Sequence, residues 1–213
     1  MTAPLASDWG ATSAALAKHG YASLLNAMPE ASWQGLRAEA GRLFDDDAFS
    51  AAGVGRGDDV RTESATRGGS VCWLDVGAGM PAGDAFMAWM EGLRVALNRS
   101  LFLGLDGFEA QYAHYPIGAS YGTHVDRHHA RPDARDHRDK DARVVSVVIY
   151  LNADWPLDAG GDLVIYDALD VPVLTLAPKG GTLVLFMSED TPHEAKRSTR
   201  ERWSLAGWFR TRR

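Results

Sequence analysis

The chain has 213 residues, 46% hydrophobic and 23% charged, a composition that fits a globular protein with a sizeable core and excludes disorder, collagen-like repeats or coiled coil. Its 28 acidic and 22 basic side chains leave a net charge of −6, which argues against a non-specific nucleic-acid binder. No apolar run approaches a membrane span, the opening MTAPLASDWG does not read as a secretory leader, and the lone Cys72 fits a reducing cytoplasm.

Residues Thr12 to Phe44 read as helix, short strand, helix. LAKHG stops the first helix at a glycine, YASLL follows as the strand, and Trp33, Leu36, Leu43 and Phe44 form the apolar stripe of the second helix. From Asp45 to Gly69 the text turns acidic and then rich in Gly, Ser, Thr and Arg. A mobile loop is expected over 53–69, because such a segment buries too little apolar surface to offset its ordering entropy. SVCWLDV (Ser70 to Val76) reads as a strand. Phe86, Trp89, Met90, Leu93, Leu97 and Leu101 then predict a helix over Asp84 to Leu103.

After Gly107 the spacing shortens. Phe108 to Tyr115, Tyr121 to Asp126, Val144 to Leu151, Asp162 to Tyr166, Val171 to Leu176, Thr182 to Phe186 and Trp203 to Phe209 read as strands between Gly, Pro and Asp turns. Helices first and strands afterwards predict an α+β, mainly β chain. Residues 1–107 are helical support, and 108–213 are an antiparallel sandwich or barrel braced on one face. No repeat or linker divides the sequence, so one domain over 1–213 is expected.

The chemistry gathers on a few residues. In THVD, His124 and Asp126 lie two apart, so a strand aims both at the same face. His193 in TPHEA sits at the start of a later strand. Two imidazoles and a carboxylate make the facial set that leaves open positions on a non-haem Fe(II). An HxD pair alone is as readily an exposed turn; its company raises it. Arg202 opens the apolar strand RWSLAGWF, sharing a face with Ser204, Ala206 and Trp208. A buried arginine needs an acidic partner, either an aspartate of this chain or a carboxylate ligand held by two parallel hydrogen bonds. No HExxH or clustered Cys/His spacing suggests a zinc hydrolase.

These motifs, in their order, resemble the Fe(II)- and 2-oxoglutarate-dependent oxygenases of the prolyl-hydroxylase-domain type, a prolyl 4-hydroxylase-like group related to animal oxygen-sensing enzymes. LAKHGYASLLNAM, RGGSVCWLD, YPIGASYGTHVD, RVVSVVIYLNADW, AGGDLVIY, PHEA and RERWSLAGWF carry the likeness over nearly the whole chain. The resemblance implies a double-stranded β-helix, a jelly-roll or cupin-like barrel braced by the N-terminal helices. It gives iron to His124, Asp126 and His193, and the distal carboxylate of 2-oxoglutarate to Arg202 with Tyr150. Tyr115 would reach the co-substrate near the metal, Val148, Leu163, Ala195 and Trp208 would line the pocket, and Arg67, Trp73 and Arg143 would face the substrate. Implied with them are Fe(II), 2-oxoglutarate, O2 and ascorbate as accessory reductant.

The substrate implied is a prolyl residue of a protein, by analogy in a translation factor or ribosomal protein, handled by a cytoplasmic monomer without nucleic acid or membrane. A free amino acid as substrate and a non-catalytic sensor of 2-oxoglutarate or metal are the alternatives. The chain departs from the family at two places. Gly69 stands where an aspartate that would pair with Arg143 is expected, leaving Arg143 available to substrate. The segment from Arg127 to Arg143 is long and highly charged, with His128 and His129 read as solvated rather than ligating.

Overall fold

The computed structural model describes residues 9–52, 68–126 and 141–212. The segment 53–67 with Arg67, and the segment 127–140 with His128 and His129, lie outside the described residues. The elements run α1 (Gly10–His19), β1 (Tyr21–Leu24), α2 (Glu30–Asp45), β2 (Ser50–Ala51), β3 (Ser70–Trp73) and α3 (Pro81–Leu101). Then come β4 (Gly107–Tyr115), β5 (Tyr121–His124), β6 (Asp141–Tyr150), β7 (Leu163–Tyr166) and β8 (Pro172–Leu176). The last three are β9 (Leu183–Met187), β10 (His193–Ala195) and β11 (Arg202–Arg212).

The strands form two antiparallel sheets, β1-β9-β6-β11-β4-β3-β2 and β5-β10-β7-β8. Both are open, so the expected barrel is two facing sheets and not a closed cylinder. Alternation along the long strands sorts side chains between two cores. Tyr112, Val145, Val147, Ile149, Leu183, Leu185, Leu205 and Phe209 pack with Leu16, Leu36, Phe86, Met90, Leu93 and Leu97 of the helices. Their neighbours Tyr150, Val184 and Phe186 point the other way and meet Leu163 and Ile165 of the smaller sheet. The helices brace one face of the large sheet, and its other face looks into the space between the sheets.

Several boundaries moved for identifiable reasons. The α3 helix starts at Pro81 rather than Asp84, because its first turn is capped from another helix. The Glu39 carboxylate of α2 accepts the backbone N–H groups of Ala82 and Gly83 and the Tyr112 hydroxyl. The β3 strand stops at Trp73, and the chain turns through Asp75–Ala78 with Gly77 and Gly79 at positive φ (82° and 80°). The β6 and β11 strands extend beyond Val144 and Phe209 by pairing with each other, with a bulge opposite the step from Phe209 to Arg210.

Candidate metal centre and co-substrate pocket

β5 and β10 lie side by side with His124 opposite His193, which sets the two ring centroids 4.2 Å apart. Backbone carbonyls fix both rings. His124 Nδ1 lies 2.8 Å from the Gly122 oxygen and His193 Nδ1 lies 3.0 Å from the Thr191 oxygen, leaving both Nε2 atoms facing Asp126. Asp126 follows the end of β5, anchored where its N–H meets the Ser188 carbonyl. Its Oδ1 is 3.4 Å from His124 Nε2 and 3.8 Å from His193 Nε2. One ligand atom from each residue falls within 4.8 Å of the others, so the three could hold a metal ion. Strand alternation was not what joined His124 to Asp126; the bend after β5 did.

Burial alone would raise the Asp126 carboxyl. The hydrogen bond from His124, the charges of His193 and His124, and Ser146 together hold it well below the usual carboxylate range. Both histidines have aromatic neighbours: Tyr121 stacks on His124 at 3.6 Å, and Phe186 lies 4.3 Å from His193. Tyr121 was not singled out in the sequence, and nothing in its local spacing marks it.

Further along β11, Arg202 is 2% exposed. Its Nη1 donates to the Gly161 carbonyl (2.8 Å) and the Lys196 carbonyl (3.2 Å), and its guanidinium lies 4.6 Å from the Tyr115 ring centroid. Nη2 is buried without a hydrogen-bond partner, and no carboxylate pairs with Arg202 among the described residues. The intramolecular aspartate is therefore excluded there, and a buried guanidinium N–H left without a partner calls for an anionic ligand. Gly161 permits this close approach: at φ 79° it brings its carbonyl to Arg202, and a Cβ there would meet Ser198 at 2.9 Å and Trp155 at 3.0 Å. Burial raises the Tyr150 phenol above its ordinary value, against the opposing Arg202 charge, so it stays a neutral donor. In register, Val148 pairs with Ala206 and Ala195 with Leu163, which puts the expected lining residues on facing sheets.

At the other end of β11 the Trp208 indole N–H donates to Asp126 Oδ2 at 2.9 Å. Trp73, 45% exposed, stands 6.0 Å from Trp208. The expectation that Arg143 is left available by Gly69 is wrong. Gly69 packs against His114 and the Tyr115 ring, at the Arg202 end of the sheet. Arg143 lies at the Trp208 end, about 20 Å away at 3.3 Å per residue. Its acid is Glu109 of β4, whose Oε1 accepts from Arg143 Nε (3.2 Å) and Nη2 (3.1 Å). Glu109 shares its face with Gln111, Ala113 and Tyr115, a parity that the sequence already contained. The β6 bulge turns Arg143 onto that face, where strict alternation from Tyr150 would have turned it away.

Comparison with known proteins adds to this geometry. Residues 110–210 match the family model described as 2OG-Fe(II) oxygenase superfamily. A prolyl-4-hydroxylase from Pseudomonas putida is 37% identical, with 95% of this chain and 98% of that one covered at a TM-score of 0.82. A Trichoplax adhaerens prolyl hydroxylase, solved with a hypoxia inducible factor peptide fragment, is 22% identical over 93% and 86% of the chains at 0.76. A viral collagen prolyl hydroxylase from Paramecium Bursaria Chlorella virus-1, solved as a 2OG complex, is 18% identical over 92% and 98% at 0.66. No match was found among curated proteins.

Proposed function

The chain belongs to the 2OG-Fe(II) oxygenase superfamily, with the double-stranded β-helix fold and prolyl-hydroxylase-like relatives, and from that premise we propose that it hydroxylates a prolyl residue within a polypeptide. One observation carries the site assignment: a His124–Asp126–His193 donor set stands in the same inter-sheet space as a buried arginine with an orphaned N–H. We assign Fe(II) to the three donors. Two imidazole nitrogens and a carboxylate suit it, and three protein ligands leave positions open. We assign the distal carboxylate of 2-oxoglutarate to Arg202 Nη2 and the Tyr150 hydroxyl, with Tyr115 beside them. Val148, Leu163, Ala195 and Trp208 line the walls.

When bound, iron and 2-oxoglutarate supply the oxidising equivalents for inserting one atom of O2 into a C–H bond, with succinate and CO2 as co-products. This chain's residues do the remaining work. Arg202 and Tyr150 set the depth and direction of the co-substrate, and Phe186, Val184 and Leu163 keep water from the pocket. The carbonyls of Gly122 and Thr191 hold both histidines in the tautomer that presents Nε2. Trp73 and Arg143 flank the metal end, where a polypeptide would lie.

The polypeptide reading is supported by the P. putida relative, a prolyl-4-hydroxylase over its full length, and by the Trichoplax relative with its bound peptide fragment. The whole chain acts as one oxygenase domain. Among the described residues no helix is long and apolar enough to cross a membrane, and the buried Cys72 thiol, pushed up by burial, suits the cytoplasm. Incubating cell lysate with the enzyme, Fe(II) and 2-oxoglutarate should add one oxygen atom to a defined proline, read by peptide mass spectrometry. Turnover of free proline with no modified peptide would refute the polypeptide reading.

A further inference from the structure

We propose that Trp208 is a positioning residue for the metal ligand Asp126, and that Glu109 holds Trp208 in place through Arg143. This rests on the metal-site assignment above but on no particular substrate. Asp126 lies past the end of its strand, so strand pairing does not fix the rotation of its carboxylate. Its Oδ1 faces the two imidazoles, while Oδ2 accepts the Trp208 indole N–H at 2.9 Å. That donor keeps Oδ2 away from the metal position. A carboxylate released from it is able to swing and chelate through both oxygens, closing a coordination position that the reaction needs open.

The indole is itself held. The Arg143 guanidinium lies 3.6 Å from its ring centroid, within the range of a cation–π contact. Arg143 is gripped through two nitrogens by Glu109 Oε1, and Glu109 Oε2 meets Arg210 Nη1 at 3.1 Å. Glu109 on β4 thus bridges arginines on β6 and β11, the two strands that carry Arg143 and Trp208. The bulge in the β6–β11 pairing is what brings Arg143 onto this face.

Titration of the metal-free protein with Co(II), followed by its visible ligand-field absorption, tests the relay without substrate or turnover. Trp208→Phe keeps the ring and removes the N–H. The Asp126 carboxylate is then no longer held in its ligating orientation before metal arrives, so Co(II) should bind about ten- to a hundred-fold more weakly even where both oxygens engage. The band intensity should fall as coordination number rises, with circular dichroism unchanged. Glu109→Gln should shift both readouts in the same direction by less. Adding it to Trp208→Phe should cost nothing more, because it acts through the indole N–H. Unchanged cobalt affinity and spectrum in a folded Trp208→Phe would overturn the proposal, as would full additivity in the double variant. Where Trp208→Phe does not fold, Glu109→Gln alone decides: several-fold weaker cobalt supports the relay, and wild-type binding refutes it. A failed search for a hydroxylated proline leaves all of these outcomes intact.

Discussion

At Arg202 a single side chain serves two ends. Nη1 is spent on the Gly161 and Lys196 carbonyls, and Nη2 is left for the ligand. Arg202→Lys keeps the charge but loses the planar fork, so 2-oxoglutarate affinity should fall by about 1.5–3 kcal/mol, or roughly ten- to a hundred-fold. Tyr150→Phe removes one hydroxyl and should cost about 0.5–1.5 kcal/mol. Calorimetric titration of 2-oxoglutarate into the Mn(II) forms checks the order; undiminished affinity in Arg202→Lys would remove the assignment. At the metal, His124→Ala, Asp126→Ala and His193→Ala should each abolish Mn(II) binding and leave the circular dichroism spectrum intact. These residues were legible because each is chemically out of place: an arginine opening an apolar strand, a histidine and an aspartate two apart. Glu109 was not. An acid was sought at Gly69 by analogy, and only the register shows Gly69 at the wrong end of the sheet for Arg143.

Helices and long strands were readable because their apolar periodicity reflects what they pack on. The three-residue β10 has no period to read, and the start of α3 depends on Glu39, a residue of another helix. That long-range cap gives a test. Glu39→Ala strips the acceptor from two helix N–H groups and the buried Tyr112 hydroxyl, and should destabilise the fold by about 2–4 kcal/mol in urea denaturation. In β11, a Cβ at Gly207 would fall 2.4 Å from Phe108 Cζ and 2.8 Å from the Glu109 carbonyl. Gly207→Ala should therefore cost about 1–3 kcal/mol by the same measurement. His114, wedged between Phe44 and Trp203, has its folded pKa lowered chiefly by burial, with Glu201 opposing. A lowered histidine stabilises the fold above its unfolded pKa of about 6.5, and this contribution is lost as pH falls towards the folded value. Thermal unfolding of the metal-free protein should lose less stability on acidification in His114→Gln than in wild type.

Across the molecule the two cores are unequal. The large sheet is backed by three helices, whereas Tyr150, Leu163, Ile165, Val184 and Phe186 form the buried cluster between the sheets. The proposed ligands span that space. His124 and His193 belong to the smaller sheet, while Arg202 and Tyr150 belong to the larger, so metal and 2-oxoglutarate together tie one to the other. Binding at about a hundred times the dissociation constant stabilises by about 2.7 kcal/mol, and here the gain should concentrate on the less buttressed layer. Hydrogen exchange of the metal-free protein should be faster in β5, β7, β8 and β10 than in β4, β6, β9 and β11. Mn(II) alone should slow β5 and β10, which it joins, and 2-oxoglutarate added to the Mn(II) form should extend protection to β7. In Arg202→Lys the manganese step should persist and the 2-oxoglutarate step should shrink. If 2-oxoglutarate protected β7 equally in that variant, the bridge between the sheets would not run through Arg202.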